Sequence, residues 1–154
     1  MADAEIPDTA RILGLAPHPE GGWFRRIYTS GVSLAIPDRG RELPIGSAIH
    51  FLLGSGEQSR WHSVRSDELW FWHAGEPLEM LLNEVNPTVE GATSTVLGAD
   101  IRAGQRPQLT VPGGFWQSAR PTGPGETLVS CFVCPSFHFD DFTLAPDRSS
   151  PAER

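Results

Sequence analysis

The chain contains no lysine, since all 12 of its basic residues are arginines. Catalysis through a lysine Schiff base or an ammonium acid is thereby excluded. No apolar run approaches the roughly 20 residues needed to span a bilayer. Met1 to Asp8 carries neither the basic nor the apolar region of a signal peptide. A cytoplasmic protein without a membrane partner is expected. Positive charge is scarce overall: the formal net charge is -7 and the pI is near 5.1, which argues against nonspecific affinity for nucleic acid or anionic lipid. The aromatics Phe115, Trp116, Phe132, Phe137, Phe139 and Phe142 lack the basic interleaving of a nucleic-acid surface and read as core. The 2 cysteines, Cys131 and Cys134, form a C-x-x-C. They lie in the strand-like run Thr127 to Cys134, where residues three apart point to opposite faces, so structural, reduced thiols are expected in place of a redox pair. No internal repeat and no linker is visible.

A length of 154 residues suits one domain, 1–154, with a core over about 10–145 and a frayed tail over 146–154. Sixteen glycines and 14 prolines, dispersed between short apolar runs, point to many turns joining short strands. The expected class is all-β with a short N-terminal helix. Asp8 to Leu15 reads as that helix, with Asp8 as N-cap and Gly14 near its stop. Strands are expected at Trp23 to Thr29, Ser47 to Leu53, Arg60 to Val64, Glu68 to Ala74, Leu78 to Val85, Thr93 to Leu97, Gln108 to Val111, Trp116 to Arg120 and Thr127 to Cys134. Ser30 to Gly46 reads as a polar, solvated loop.

The chemistry concentrates between Gly56 and Gly75. His62 follows Gly56 after five residues, Glu68 follows after five more, and Gly75 after a further six. Period-two alternation that turns His62 and Glu68 inward also turns Val64, Trp70 and Trp72 inward, giving a pocket aromatic on one wall and ionisable on another. A carboxyl held near indole rings has its pKa raised, and a histidine beside it is favoured as the cation. His73 falls on the opposite face from Glu68 and reads as structural or interfacial, and His50 is an ambiguous strand histidine. Pro112-Gly113-Gly114 lacks the lysine and helix of a P-loop and reads as a turn that swings Gln117 into place. Arg25, Arg26, Arg106 and Arg120 are candidates to grip an anionic group through forked hydrogen bonds.

The spacing from Gly56 to Gly75 and the run Pro112 to Gln117 resemble the two halves of a cupin site. Val64 and Gln117 stand where the usual pattern has histidines. Leu13-Gly14-Leu15, Pro17-His18-Pro19-Glu20-Gly21-Gly22, Trp61-His62, Ser66-Asp67-Glu68-Leu69-Trp70 and Cys134 to Phe142 extend the resemblance, over roughly residues 10 to 145, to the cupin family DUF985 or Cupin_5. The resemblance implies a double-stranded β-helix, or jelly roll, and a homodimer. It brings no established reaction, because related cupins include dTDP-sugar epimerases of the RmlC type and seed-storage proteins.

Three functions are compatible with these residues. The first is a metal-independent epimerase or isomerase acting on a small polar metabolite, a sugar derivative being one candidate, with His62 and Glu68 as catalytic acid and base. Trp70, Trp72, Gln117, Arg25, Arg106 and Arg120 would bind its ligand. The second is a metal-dependent cupin that holds a divalent ion weakly through His62, Glu68 and Gln117. The third is a metabolite-binding or sensing module without turnover.

Overall fold

The computed structural model describes residues 5–146, and the expectation of a frayed tail falls, apart from Pro146, outside them. The chain is mostly strand. Helix α1, Asp8–Leu13, is followed by β1 Ala16–Pro17, β2 Trp23–Thr29, β3 Ser33–Ile36, β4 Arg41–Pro44, β5 Ser47–Leu53, β6 Ser59–Val64 and β7 Asp67–Gly75. Then come β8 Leu78–Asn83, β9 Thr93–Leu97, β10 Gln108–Val111, β11 Trp116–Pro121, β12 Thr127–Cys134 and β13 Phe142–Leu144. A six-stranded sheet in the order β1-β2-β5-β12-β7-β10 faces a five-stranded sheet in the order β13-β6-β11-β8-β9. All pairings between named strands are antiparallel. No helix among the described residues is long and apolar enough to cross a membrane.

Alternation along the strands builds the core. On β7 the side chains of Glu68 and Trp70 are buried while Asp67 and Phe71 are exposed, and on β12 Val129, Cys131 and Val133 turn inward while Cys134 is exposed. The two cysteines therefore stand on opposite faces, both as free thiols. Phe51, Leu53, Trp70, Leu78, Met80, Leu97, Val111 and Val129 fill one end of the space between the sheets. Phe51 and Trp70 meet edge to face, with ring centroids 5.8 Å apart, an arrangement that adds about 0.5–1.5 kcal/mol beyond area burial. A smaller cluster of Ala10, Leu15 and Leu52 seats α1 on the outside of the larger sheet.

Two local expectations need correcting. Helix α1 begins at Asp8, with Pro7 in the cap position and no side-chain cap bond, because Pro7 already has the extended φ and ψ of a helix entry. It ends on Gly14, whose φ of 67° is the left-handed conformation of a helix stop. Residues 30–46 are not an open loop but contain the hairpin β3–β4, in which Leu34 lies opposite Leu43 across a turn with Asp38 and Gly40 both at φ 67°. Phe139–Asp141 forms a short 3-10 turn leading into β13, an edge strand on β6.

Candidate functional site

Beside the main hydrophobic cluster, which lends it Trp70 and Cys131, a cavity of about 170 Å³ remains between the sheets. Its charged and polar lining includes His18, Glu20, Arg26, His62 and Glu68, and Phe24, Val64, Trp70, Phe137 and Phe142 contribute apolar walls. His62 projects from β6 and is buried. Its Nε2 lies 3.0 Å from Glu20 Oε2, and its Nδ1 donates to the Arg60 carbonyl at 2.7 Å. Both ring nitrogens are therefore committed to protein acceptors, which is the pattern of an imidazolium. Burial acts to lower the pKa of His62, but the charge and hydrogen bond of Glu20, the charge of Glu68 and the Arg60 carbonyl raise it to about 9. Burial likewise acts to raise the Glu20 carboxyl, and His62 outweighs it, with help from His18 and Ser59, to hold Glu20 below its ordinary range.

Glu20 reaches the site on the turn between β1 and β2. Gly21 and Gly22 have φ of 103° and 76°, and a Cβ on them would lie 2.4 Å from Gln58 O and 2.7 Å from Leu52 O. Only glycine lets this turn press against the barrel. Ser59 Oγ donates to Glu20 Oε1 at 3.1 Å, and the Glu20 carbonyl accepts from Arg60 N–H at 2.7 Å. On the same turn His18 Nδ1 accepts the Glu20 backbone N–H at 3.1 Å. The ring proton is thus assigned to Nε2, which has no partner among the described residues. Burial lowers the His18 pKa, Glu20 opposing and His62 adding to the effect, so His18 is neutral.

Glu68 stands on β7 and is buried. Gln117 on β11 positions it: Trp70 Nε1–H donates to Gln117 Oε1 at 2.9 Å, and Gln117 Nε2 donates to Glu68 Oε1 at 2.7 Å. Among the described residues Glu68 Oε2 has no hydrogen-bond donor of its own. Burial, opposed by the charge of His62 and by the side-chain N–H groups of Gln117 and Trp70 and reinforced by the charge of Glu20, raises the Glu68 carboxyl to about 7. Cys131 also lines the cavity, and burial together with the charges of Glu68 and Glu20 pushes its thiol well up, so it stays protonated.

The sequence-derived residues are distributed unevenly around this cavity. His62, Glu68 and Trp70 line it. His62 pairs with Glu20 and not with Glu68, so the expected His62–Glu68 acid–base couple is corrected to a His62–Glu20 ion pair beside a separate Glu68. Gln117 lies behind Glu68. Trp72 packs against the hydrophobic cluster and donates its indole N–H to the Glu76 carbonyl at 2.9 Å. Arg25 turns to the outer face with its register partner His50, and its Nη1 approaches the Leu13 carbonyl at 3.4 Å. Arg106 sits beside β9, and exposed Arg120 pairs with Glu79 at 2.9 Å, so neither reaches the cavity. Arg26, next to Arg25 and hence on the opposite face, is the arginine that does. His73 is exposed on the outer face, where it and His50 both meet Ser130 Oγ. Sequence reasoning places His18 and Glu20 only in a turn. The available signal was a histidine and a carboxylate held two residues apart by Pro19, just ahead of a glycine pair.

The proposed donor set for a divalent metal does not fit. Both His62 nitrogens and Gln117 Oε1 are occupied by protein partners, and Val64 has no donor atom. Among the described residues no group of three or more His, Cys, Asp or Glu side chains is placed to hold a metal ion.

The mouth of the cavity is framed by Phe137, Phe139 and Phe142, with Phe137 and Phe139 in edge-to-face contact at 5.0 Å. The hairpin β3–β4 is tied beside it. Buried Asp141 receives Arg39 at 3.0 Å and Arg41 at 2.7 Å, with Arg65 at 3.8 Å.

Comparison with known proteins follows the same lines. The family model described as Cupin superfamily (DUF985) matches residues 8–145. A protein from Shewanella oneidensis, solved by X-ray crystallography, is 37% identical with a TM-score of 0.79, over 90% of this chain and 82% of its own. A hypothetical protein from Leishmania major is 31% identical with a TM-score of 0.77, over 87% of this chain and 83% of its own. A dTDP sugar isomerase from Desulfovibrio desulfuricans G20 shares the fold, at 15% identity and a TM-score of 0.55 over 83% of each chain. No curated protein matches the sequence.

Proposed function

The chain belongs to the DUF985 (Cupin_5) family of the cupin superfamily, a scaffold that hosts unrelated chemistries, and from that premise we propose that it is a metal-independent isomerase or epimerase that moves a proton on a small organic molecule. Glu68 is the group that takes and returns the proton. The observation that carries this reading is a free carboxyl oxygen, Glu68 Oε2, in a largely apolar cavity, on a group whose pKa is raised to about 7. Such a value gives near-neutral solution comparable amounts of acid and base, the condition that favours general acid–base catalysis.

The other residues have supporting roles. His18 offers an unpartnered Nε2–H that can face a carbonyl oxygen as it gains charge. As the Glu68 carboxylate removes a proton from the adjacent carbon, the C–H electron pair becomes the C=C bond of an enolate and the carbonyl π pair moves onto oxygen. Returning the proton to the other face, or to a neighbouring atom, completes epimerisation or isomerisation. The His62–Glu20 pair does not exchange protons in this scheme. It supplies a fixed, internally neutral dipole at the wall, and it keeps both groups charged over the working pH range.

Solvent-exchange measurements test the proposal. Proton NMR in D₂O, run on a panel of small carbonyl compounds, should show enzyme-dependent loss of a C–H signal. Glu68→Gln should slow that exchange by about 100-fold or more while leaving the circular dichroism spectrum unchanged. A ligand that binds in the cavity but exchanges no proton under any condition would instead favour the sensing module.

A further inference from the structure

Arg26 is an exposed residue of β2 whose side chain also lines the cavity, and among the described residues its charge has no carboxylate to balance it. It lies opposite Ile49 in the inward register of β2, and its guanidinium reaches only neutral oxygens, Thr29 Oγ1 at 3.4 Å and the Phe137 carbonyl at 3.2 Å. No carboxylate among the described residues pairs with it. Deeper in, the His62 and Glu20 charges cancel each other across 3.0 Å. The space between is walled by Phe24, Ile49, Val64, Val133 and Phe142.

Resting on the proton-transfer reading of the same site, we propose that the ligand is a small monocarboxylic acid with an apolar body about the size of one six-membered ring, held by its carboxylate at Arg26. Size sets the first limit. The cavity measures about 170 Å³, and an apolar cavity of about 150 Å³ is known to take up benzene. A sugar nucleotide is several times too large. A free sugar fits by volume, but each of its hydroxyls would need a partner, and among the described lining residues Glu68 Oε2, His18 Nε2 and the Arg26 fork are the oxygen and nitrogen groups free to answer. Ser47 Oγ is already engaged by Phe137 N–H at 3.0 Å. Hydroxyls left facing phenylalanine and valine are penalised. Charge sets the second limit. A single guanidinium matches a carboxylate in a forked pair, whereas a phosphate near its dianion form brings a charge that Arg26 alone does not neutralise.

Calorimetric titration of the full chain at about pH 6 with phenylacetate, its neutral isostere phenylacetamide, glucose and thymidine diphosphate decides the matter. Phenylacetate is expected to bind at least tenfold more tightly than phenylacetamide, with glucose and the nucleotide weaker than either. Arg26→Gln should abolish the preference for the acid while keeping the affinity for the amide, which also shows that the variant is folded. Val64→Trp should fill the cavity and remove both affinities, whereas Arg25→Gln, altered on the outer face, should change neither. Equal affinity for acid and amide, a preference that survives Arg26→Gln, binding that survives Val64→Trp, or no binding of phenylacetate would each overturn the assignment. Its failure is separable from that of the proton-transfer reading. Phenylacetate binding as described, in a protein that exchanges no C–H proton, supports the ligand class and sinks the enzyme. Exchange on neutral sugars without any preference for acids does the reverse.

Discussion

At the scale of single residues, the sharpest consequence is that His62 and Glu68, on the consecutive strands β6 and β7, have different jobs. His62→Ala leaves Glu20 buried and unpaired, and loss of one partner of a buried ion pair costs about 3–5 kcal/mol. Urea denaturation should show that loss, and adding Glu20→Gln to the His62→Ala variant should recover much of it. Glu68→Gln should unfold nothing. Proton occupancy gives a second expectation. The folded chain holds the His62 proton up to about pH 9 against an ordinary 6.5, and the Glu68 proton up to about 7 against an ordinary 4.5. Both groups bind protons more tightly when folded, so their contribution is full at low pH and is lost as pH rises through those values. Glu20, shifted the other way, loses its contribution only as pH falls below its ordinary range. Calorimetric Tm should therefore decline from about pH 5 to pH 9, and the His62→Gln variant should show a flatter decline above pH 7. Catalysis has the opposite slope, since Glu68 acts as a base only when ionised, and exchange rates should rise through about pH 7. The inward placement of Glu68 and Trp70 was legible because strand alternation is local. The partner of His62 was not, because Glu20 lies on a turn whose position is set by two glycines packed against distant backbone.

Elements show the same division between local and remote information. Of the nine strands expected from composition and turn signals, each has a counterpart in the structure, and Leu78–Asn83 is a strand despite its helix-compatible residues. Trp72 misled for a specific reason. Val129 lies opposite Trp72 and Leu128 opposite Ala74, so His73 is the extra residue of a bulge that leaves the register of Glu68 and Trp70 intact. Trp72 does turn inward, but toward the filled end of the sandwich. The hairpin β3–β4 escaped notice because its polar sequence buries little, and what fixes it is the buried Asp141 on a distant segment. Asp141→Ala should strand Arg39, whose side chain is 8% exposed, at a cost of about 3 kcal/mol or more. Amide hydrogen exchange should then accelerate first in residues 33–44, ahead of the barrel strands.

For the whole molecule, the outer face of the larger sheet carries an apolar row formed by Tyr28, Ala48, Phe132 and Leu69 on β2, β5, β12 and β7 in register. Exposed Phe71 lies beside it. Such a face is suited to a second copy, and the expected species in light scattering is a homodimer at twice the chain mass of 16.8 kDa. Leu69→Asp should give a monomer that still binds ligand, whereas a wild-type monomer at micromolar concentration counts against the dimer. The order of the larger sheet has a further consequence for biosynthesis. Strand β12 occupies the slot between β5 and β7, although it is made long after both. On the ribosome those two strands emerge with facing edges unpaired, and the slot closes only after β12, which ends at Cys134, is added. From the completion of β7 at Gly75 until β12 begins at Thr127 the nascent chain therefore carries two unpaired edges, and products truncated before Thr127 should be found with chaperones or in aggregates, not as partial barrels.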